Sequence, residues 1–466
     1  MRQPRKKKSG LDGSTSWTDL HRSERRHDDG ERDQRSAFQR DRDRILYSSA
    51  FRRLAGVSQV VSADHVEPFH NRLTHTVKVA QLGRRLAETL EREQPELALR
   101  AGLHPEVVEA ACFAHDLGHP PFGHAGEDTL NTLVDDAGDP EGYEGNAQSF
   151  RILTKLALRS PNSDGLDLCR AVLAATIKYP WSHRSALRRG SKKFGYYRSE
   201  ADDYNFARSF HQQTEERTLE AAIMDYADDI AYSVHDLEDF HRIRAFPWQS
   251  FAPRQTSPEI VIDEPVARDL VQITVRSWYG APADVQERVQ KAASVVFNSV
   301  RKYPEIYDEP YDGTRLQRIA LRDWTSQTIR RFMRDCHPTI VLNDAGFPRL
   351  QLHPEAEAQI RFLKQITRSF IIEGPSICSQ QLGHARIVRD VYADVVEEIK
   401  THRSKGMKLR IIPRRFFHLI QDSKDAVTSA RLAADCLASL TECELINFHR
   451  RLRGTYAGSI ADPIIR

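Results

Sequence analysis

The chain has 466 residues, 40% of them hydrophobic and 29% charged, so it is long enough for one large core or for two or three domains. Its 68 basic and 65 acidic residues give a net charge of +3, which does not indicate a general polyanion binder. The sequence has no run of about 18 apolar residues, which a membrane-spanning helix needs. The basic N-terminus also lacks the apolar stretch of a secretory signal, so we expect a cytoplasmic protein.

Cysteine usage argues against two further classes of site. The six cysteines are spread along the chain without a Cys-x-x-Cys pair. This spacing does not fit a zinc–thiolate site or a disulfide framework. We therefore expect the thiols to be reduced.

Residues 1–40 mix charged and polar side chains with almost no apolar periodicity, which predicts a disordered or loosely held arm. Residues 45–54 then show the pattern of a helix that ends at Gly56, the residue type favoured just after a helix. Arg52 and Arg53 lie near the end of this helix. Surface ion pairs and phosphate binding both remain open for them.

Residues 71–90 carry apolar side chains at intervals of three and four, the spacing of a packed helix. His75 lies among these side chains. A lone histidine there is more often a core residue than a metal ligand, so it needs partners elsewhere to become a candidate. Arg72 precedes His75 by about one turn and shares its face.

Pro105 is well placed to begin a helix that continues through the small and β-branched side chains of residues 107–114. The chain then reads His115-Asp116. One imidazole nitrogen and one carboxylate oxygen suit a single divalent metal ion. Burial of this helix against the preceding one would let His75 face His115.

His119, His124 and Glu127 follow in a stretch interrupted by two prolines and two glycines. The pattern predicts a loop that holds titratable groups close to the metal without burying them in a helix.

Residues 215–240 predict a long helix with an apolar stripe and a second face of polar and acidic side chains. If this helix completes a metal site, its geometry favours Asp228 or Asp225 over Asp229. A solvated acidic stripe is the alternative explanation.

The rest of the chain also has mainly helical patterns. Residues 247–265 are rich in proline and predict a boundary. A small β-hairpin is predicted at residues 339–342 and 350–352. Helices are predicted at residues 267–279, 316–336, 355–370, 384–400, 425–440 and 442–453. The fold class is therefore mainly α, divided into an arm at 1–40, a core at 41–246 and a C-terminal helical region at 247–466.

His75, the His115-Asp116 pair and an aspartate of the later helix would give one metal two imidazoles and two carboxylates. Such a set leaves coordination positions open for water and for a phosphate oxygen, which hydrolysis of a phosphoester requires. The residues alone therefore predict a metal-dependent hydrolase.

Five stretches share the pattern of one known family: residues 48–54 (Ser-Ser-Ala-Phe-Arg-Arg-Leu), 71–75 (Asn-Arg-Leu-Thr-His), 115–127 (His-Asp-Leu-Gly-His-Pro-Pro-Phe-Gly-His-Ala-Gly-Glu), 144–148 (Glu-Gly-Asn-Ala-Gln) and 227–232 (Ala-Asp-Asp-Ile-Ala-Tyr). A weaker match covers residues 433–441. On these stretches the chain resembles the HD-domain superfamily of metal-dependent phosphohydrolases, and within it the deoxynucleoside triphosphate triphosphohydrolases, or dGTPase-like proteins. The resemblance extends from about residue 40 over most of the chain.

The resemblance implies an HD-domain helical core and assigns roles to candidate residues. It implies that one divalent metal ion, Mg²⁺ or Mn²⁺, is held by four ligands: His75, His115, Asp116 and Asp228. It further implies a catalytic group in which His124, supported by Glu127, acts at the scissile bond while His119 contacts phosphate.

Substrate contacts are implied in the same way. Arg72 and Arg53 would bind phosphates, because a guanidinium group matches their oxygens. Tyr232 and Asp236 would line the sugar end, where the tyrosine ring excludes a ribose 2′-hydroxyl, and Gln59 would lie near the nucleoside.

The implied reaction is hydrolysis of a dNTP, with dGTP as a candidate, to a deoxynucleoside and inorganic triphosphate. A homo-oligomer and an activating nucleotide or single-stranded DNA are further expectations from the resemblance. The chain departs from the family pattern where residues 57–60 read Val-Ser-Gln-Val instead of Lys-Thr-Gln-Val, and where Cys436 replaces a common aromatic residue.

Two other functions stay open at this point. One is an HD-type phosphohydrolase that acts on a nucleoside monophosphate or a cyclic or signalling nucleotide, because the metal set alone does not choose among phosphoesters. The other is a single-stranded nucleic-acid-binding protein with a secondary metal site. Its binding surfaces would be the basic N-terminal tail and the cluster at residues 184–193.

Overall fold

The structure is a computed structural model that describes residues 19–27, 34–59, 71–211, 215–245, 248, 265–421, 427–456 and 458–459. These residues form 21 α-helices and one two-stranded sheet, which confirms the predicted mainly α class. None of the described helices has an apolar stretch long enough to cross a membrane.

Twelve α-helices lie before residue 246. They are α1 (Asp19–Arg22), α2 (Ala37–Leu46), α3 (Ser49–Arg53), α4 (Arg72–Glu93), α5 (Pro95–Ala101), α6 (Pro105–Ala114), α7 (Gly123–Asp136), α8 (Gly145–Arg151), α9 (Arg170–Ala175), α10 (His183–Arg188), α11 (Ala201–Arg208) and α12 (Leu219–Arg242).

Nine α-helices follow residue 264. They are α13 (Pro265–Ser277), α14 (Val285–Arg301), α15 (Pro304–Tyr307), α16 (Arg315–Arg330), α17 (Pro354–Thr367), α18 (Pro375–Lys405), α19 (Phe417–Gln421), α20 (Ser429–Ala438) and α21 (Glu442–Leu452). Short 3₁₀ segments cover Leu54–Gly56, Arg198–Glu200 and Arg414–Phe416, and π turns extend α8, α16 and α17 at Ile152–Leu156, Arg331–Asp335 and Arg368–Ile372.

The predicted β-hairpin is confirmed. Strands β1 (Thr339–Leu342) and β2 (Pro348–Gln351) pair antiparallel, with Ile340 opposite Leu350. On the other edge of β1, the side-chain amide of Gln94 accepts from the Ile340 N–H at 2.7 Å and donates to its carbonyl at 3.0 Å.

Helices α4, α6 and α12 pack against one another at the centre of the molecule. Small residues allow this close approach. A Cβ at Gly83 of α4 would lie 2.6 Å from the sulfur of Cys112 on α6 and 3.6 Å from Ala227 on α12. The packing brings the N-terminal turns of α4, the end of α6 and the middle of α12 to one place.

Two large apolar cores and one small cluster lie among the described residues. The larger one runs from Phe38 to Ile366 and so includes side chains on both sides of residues 246–247. The smaller of the two cores joins α7 to α18, α20 and α21. The division into three domains stays a prediction.

Charged groups also tie the C-terminal helices to the core. Arg151 of α8 makes a bidentate pair with Asp435 of α20, donating to Oδ2 at 2.7 Å and to Oδ1 at 3.0 Å, and it makes a third contact with Glu200 at 2.6 Å. All three side chains are buried. Because a buried ion left without its partner is strongly destabilising, these helices and the core depend on each other.

The structure differs from the predicted helix at residues 45–54. Helix α2 ends at Leu46, and Ser48 starts α3 as its N-cap by accepting from the Phe51 N–H. A serine side chain that caps the backbone in this way breaks a helix that apolar spacing alone would continue.

The N-terminal arm is partly held against the core. Within residues 19–27, Arg22 pairs with Glu220 and Arg25 pairs with Asp41, both at 2.5 Å and both buried. This attachment differs from the expected loose arm. Residues 1–18 lie outside the described residues.

Candidate functional site

Three predicted metal ligands meet where α4, α6 and α12 cross. His75 Nε2 lies 3.1 Å from Asp228 Oδ1, and His115 Nε2 lies 3.6 Å from the same oxygen. One ligand atom from each of these residues lies within 4.8 Å of the other two. The trio therefore has the compactness of a metal site.

The tautomer of His115 follows from the end of helix α6. His115 is the residue after Ala114, the last of the helix, and its Nδ1 lies 2.7 Å from the carbonyl oxygen of Cys112. Because a carbonyl only accepts, Nδ1 carries a proton, and Nε2 is the ring nitrogen that faces Asp228. This Nε2 is buried and makes no hydrogen bond with the residues described.

Asp116 lies between the trio and the loop that follows. Its Oδ2 accepts from Arg72 Nη1 at 2.8 Å, while its Oδ1 lies 3.4 Å from His115 Nε2 and 3.3 Å from His119 Nε2. Burial raises the pKa of Asp116, but Arg72 and the two histidines outweigh burial and hold this pKa well below its usual range. The carboxylate is therefore charged.

Two cationic side chains contact Asp228 and Asp225 on α12. Lys178 Nζ lies 3.3 Å from Asp228 Oδ2 and 2.6 Å from Asp225 Oδ1, and Arg217 lies 2.5 Å from the other oxygen of Asp225. Asp229 is turned to a different partner, Lys364. This placement agrees with the expectation that Asp229 lies off the face of Asp228.

A second carboxylate, Glu127, lies close to the other two predicted site histidines, His119 and His124. Its Oε2 lies 3.4 Å from His119 Nδ1 and 3.4 Å from His124 Nδ1. Its Oε1 contacts Lys193 Nζ at 2.8 Å and accepts from the Gly145 N–H at 3.1 Å. His119 thus has one ring nitrogen beside Asp116 and the other beside Glu127, so it connects the two centres.

The loop expected for the second centre is shorter than predicted. Helix α7 begins at Gly123, so His124 and Glu127 lie on its first turns, and only His119 lies in the preceding loop. Phe122 and Gly123 both have positive φ, at 67° and 54°, which turns the chain sharply into the helix. A Cβ at Gly118 would lie 2.0 Å from the Gly145 carbonyl oxygen, so the loop packs directly on α8.

Arg53 has three backbone partners in the structure. Its guanidinium group donates to the carbonyl oxygens of Leu117 at 2.7 Å, His119 at 2.8 Å and Leu440 at 3.2 Å. Burial lowers the pKa of Arg53 to about 10. Arg53 therefore supports the loop that carries His119, and its role as a phosphate ligand stays a prediction.

The remaining predicted substrate residues lie around the same cleft. Gln59 follows Ser58, which forms a β-bridge with Asn71 at the start of α4. Tyr232 and Asp236 lie one and two turns beyond Asp228 on α12. Gln59 Oε1, Asp236 Oδ2 and Arg72 Nε are all buried and make no hydrogen bond with the described residues. A polar ligand would satisfy such groups.

Burial raises the pKa of Asp236 well above its usual range, and the nearby Asp239 and Asp228 carboxylates act in the same direction. This shift favours the protonated form of the Asp236 carboxyl group, which can donate as well as accept a hydrogen bond.

Comparison with known proteins matches two parts of the chain to families. The HD domain matches residues 72–233, and the phosphohydrolase-associated domain matches residues 350–451. Three relatives carry the name deoxyguanosinetriphosphate triphosphohydrolase-like protein. The Streptomyces coelicolor relative is 33% identical over 90% of this chain and 93% of its own, that of Corynebacterium efficiens 33% over 91% and 92%, and that of Bifidobacterium longum 38% over 64% and 58%.

The chain belongs to this dGTPase-like family of HD-domain proteins. The matched domains make it a phosphohydrolase. HD domains bind divalent metal ions, and the trio of His75, His115 and Asp228 is a candidate for that role. The buried Nε2 of His115, which makes no hydrogen bond with the described residues, and the charged Asp116 fit such an ion.

In this HD-domain protein, Lys178 was not predicted to be part of the site, and Lys193 was assigned to a basic surface cluster. Both lysines pair with site carboxylates. Lys178 is 50 residues from Asp228 and Lys193 is 66 residues from Glu127 in the chain. Helical periodicity relates neighbours within one helix, so it carried no signal for these pairs.

Proposed function

We propose that this HD-domain protein is a metal-dependent dNTP triphosphohydrolase that converts a dNTP to a deoxynucleoside and inorganic triphosphate. The observation that carries the proposal is the position of Asp116, which lies within 3.4 Å of a histidine from each centre. A metal-type trio and a pair of histidines suited to proton transfer thus share one cleft. The names of the relatives support dGTP as a substrate.

We assign the metal to His75, His115, Asp116 and Asp228. A bound Mg²⁺ or Mn²⁺ there would supply Lewis-acid polarisation of an α-phosphate oxygen and lower the pKa of an attacking water. The protein fixes the imidazole and carboxylate groups before the substrate arrives. Lys178 and the Cys112 carbonyl oxygen hold Asp228 and His115 in orientation.

His124 is the proposed general acid for the leaving 5′ oxygen. Glu127 is next to Nδ1 of His124, which leaves Nε2 available for the substrate. The side chain of His124 is 64% exposed, so a substrate phosphate can reach it. A protonated imidazole in this place would donate to the oxygen on which charge develops.

The proposed substrate contacts follow the unsatisfied polar groups of the cleft. Arg72 and His119 are suited to phosphate oxygens, and Gln59 to the nucleoside. The ring of Tyr232 and the carboxyl group of Asp236 would bind the sugar and disfavour a ribose. Loss of the Tyr232 or Asp236 contact should therefore change the Michaelis constant for dNTP relative to NTP, whereas loss of the Arg72 or His119 contact should raise both alike.

The test is a panel of the four dNTPs with Mg²⁺ or Mn²⁺ and identification of the products. The proposal expects inorganic triphosphate and a deoxynucleoside in equal amounts. Release of pyrophosphate or monophosphate from a dNTP would contradict it. Hydrolysis restricted to a nucleoside monophosphate or to a cyclic or signalling nucleotide would favour the other HD-type activity.

A matched pair of variants ties the activity to the site. Asp116→Asn removes the buried charge next to His115, while Asp128→Asn neutralises an exposed aspartate of the same segment. The proposal expects loss of activity in the first variant only, with unchanged circular dichroism in both.

An arginine-lined groove supports the proposal of an anionic effector, either a nucleotide or single-stranded DNA. The groove lies between α4, α12 and α16 and has a volume of about 990 Å³. Four of its side chains, Arg315, Arg318, Arg322 and Arg330, make no ion pair with any residue that the structure describes. Replacing two of them with glutamine should weaken salt-sensitive binding of the effector.

We also propose that the protein is a homo-oligomer. Light scattering coupled to size-exclusion chromatography measures the mass directly. A monomer across the working concentration range would contradict this proposal.

A further inference from the structure

The sharp turn before α7 depends on groups outside the HD domain. Phe122 has a left-handed backbone, which is unfavourable for a residue with a large side chain. Its N–H donates to Glu442 Oε1 at 3.1 Å, and its ring stacks on His384 with centroids 4.0 Å apart. Both partners belong to the segment matched by the phosphohydrolase-associated domain.

Glu442 also holds the opposite wall of the cleft. Its Oε1 accepts from the Ser58 N–H at 2.9 Å, and its Oε2 accepts from the Ser58 hydroxyl at 2.7 Å. Ser58 in turn bridges to Asn71, and the Val57 carbonyl accepts from the Arg72 N–H at 3.1 Å. One carboxylate therefore connects the segment that carries Gln59, the start of α4 and the turn between His119 and His124.

The position of Glu442 is itself well defined. It is the first residue of α21, whose N-cap Thr441 forms a capping box with Glu444. The methyl group of Thr441 would lie 2.7 Å from a Cβ at Gly56, so this end of α21 packs directly on the chain just before Ser58. Glu442 is only 2% exposed. Its carboxylate accepts from the N–H and the hydroxyl of Ser58 and from the N–H of Phe122.

We propose that Glu442 is a positioning residue of the HD site. It fixes the position of Ser58 on one wall of the cleft relative to Phe122 on the other. As a result, one substrate faces Gln59, Arg72, His119 and His124. Glu442 touches neither substrate nor metal in this proposal. The phosphohydrolase-associated region thus completes the geometry of the site without adding a reacting group.

The chemistry of the contact separates two substitutions. In Glu442→Gln the amide oxygen can still accept from both backbone N–H groups, and the amide nitrogen can donate to the Ser58 hydroxyl. All three hydrogen bonds are thereby kept, although the charge is lost. Glu442→Ala leaves the N–H groups of Ser58 and Phe122 buried without an acceptor. Geometry and charge are thus tested separately.

The first experiment is hydrogen exchange on the full-length protein, followed for the amides of Ser58 and Phe122. We expect at least about tenfold faster exchange of both amides in Glu442→Ala, because their acceptor is lost while the rest of the fold is kept. Exchange in Glu442→Gln should stay within about twofold of the original protein. This measurement needs no substrate, so it does not depend on the proposed function.

The second experiment is turnover, which rests on the proposed function. With the dNTP that the protein hydrolyses fastest, Glu442→Ala should lower kcat by about 10²-fold, the effect expected of a misplaced catalytic group. Glu442→Gln should keep most of kcat. Glu444→Gln is the matched control, because it alters the same helix end without contacting either wall of the cleft, and it should leave kcat within about twofold.

Each possible result has a definite consequence. If no dNTP is hydrolysed, the proposed function fails, while the exchange experiment still decides the role of Glu442. Unchanged exchange of both amides in Glu442→Ala would overturn the role of Glu442. A fall in kcat of equal size in Glu442→Ala, Glu442→Gln and Glu444→Gln would also overturn this role. The loss of activity would then not depend on the hydrogen bonds that Glu442 makes. If Glu442→Ala does not fold, exchange and kcat of Glu442→Gln relative to Glu444→Gln decide.

Discussion

The two carboxylates Asp228 and Glu127 have similar neighbours, but the histidines beside them differ in exposure. Each lies beside two imidazoles and one lysine: Asp228 beside His75, His115 and Lys178, and Glu127 beside His119, His124 and Lys193. The histidines of Asp228 are buried, with 2% and 7% of their side chains exposed, whereas His124 of the Glu127 centre is 64% exposed.

This difference separates two kinds of chemistry. Buried imidazoles with one nitrogen fixed by a carbonyl oxygen or a carboxylate suit a metal ion that does not leave. An exposed imidazole backed by a carboxylate suits a proton donor that must meet each new substrate. Similar composition therefore need not mean similar function, because solvent access and hydrogen bonding decide what an imidazole can do.

The largest effect is expected for the buried centre. Asp228→Ala should abolish binding of Mn²⁺ at micromolar concentrations and lower kcat/KM by about 10³-fold or more, because Lewis-acid stabilisation is worth several kcal/mol. Isothermal titration with Mn²⁺ measures the binding directly. Retained Mn²⁺ affinity would remove Asp228 from the metal site and break the comparison.

The exposed centre should show a different pattern. His124→Gln should lower kcat by about 10²- to 10⁴-fold, the range of general acid catalysis, with Mn²⁺ affinity unchanged. The control is His104→Gln, a substitution outside both centres. If His124→Gln weakens metal binding as strongly as Asp228→Ala, the two centres are one functional unit and the distinction fails.

The two lysines test the comparison more finely. Lys178→Met should weaken Mn²⁺ binding by about tenfold, because residues behind metal ligands typically change affinity by about 10- to 100-fold. Lys193→Met should leave Mn²⁺ affinity unchanged and lower kcat, because its partner Glu127 belongs to the other centre. Equal effects of both substitutions on Mn²⁺ affinity would contradict the separation.

The smallest effect at neutral pH is a change in the stability of the fold. A pH profile of activity that is used to study His124 must be corrected for this change in stability. Burial, together with the smaller effect of the Arg242 charge, lowers the pKa of His241 to about 4. The unfolded chain binds a proton near pH 6.5 that the folded chain rejects, so stability is full above pH 6.5 and falls as the pH decreases towards 4.

The difference between pKa values of about 6.5 and about 4 corresponds to at most about 3.5 kcal/mol, at about 1.4 kcal/mol per unit. Urea unfolding at pH 5 and pH 7.5 should show a smaller pH dependence in His241→Leu than in the original protein. His211, with a pKa lowered to about 3, retains its own contribution in both proteins. An unchanged pH dependence would show that His241 is protonated in the folded state.

Local patterns were enough to predict the supporting helices and to limit the trio to His75, His115 and either Asp228 or Asp225. The spacing of three and four in residues 71–90 predicted α4 with His75 on it, and α4 begins after Asn71, which caps it. The helical face of Asp228 was likewise readable, because neighbours along one helix are fixed by the helical repeat. The hairpin was predicted from its turn residues.

The contacts that orient these groups were not predictable from local patterns. Glu442 lies 384 residues from Ser58 and 320 residues from Phe122, and nothing in the sequence near either residue requires a carboxylate at such a distance. The cap at Ser48 was missed because one side-chain hydrogen bond there overrides the apolar spacing. The early start of α7 was missed because the prolines and glycines before it favoured a longer loop.

The contact between Gln94 and β1 has a consequence for how copies of this chain can associate. An exposed strand edge is a template on which another chain can add a strand. The primary amide of Gln94 acts as a one-residue substitute for such a strand, because it satisfies both the N–H and the carbonyl of Ile340. Edge-to-edge sheet extension is thereby blocked at Ile340.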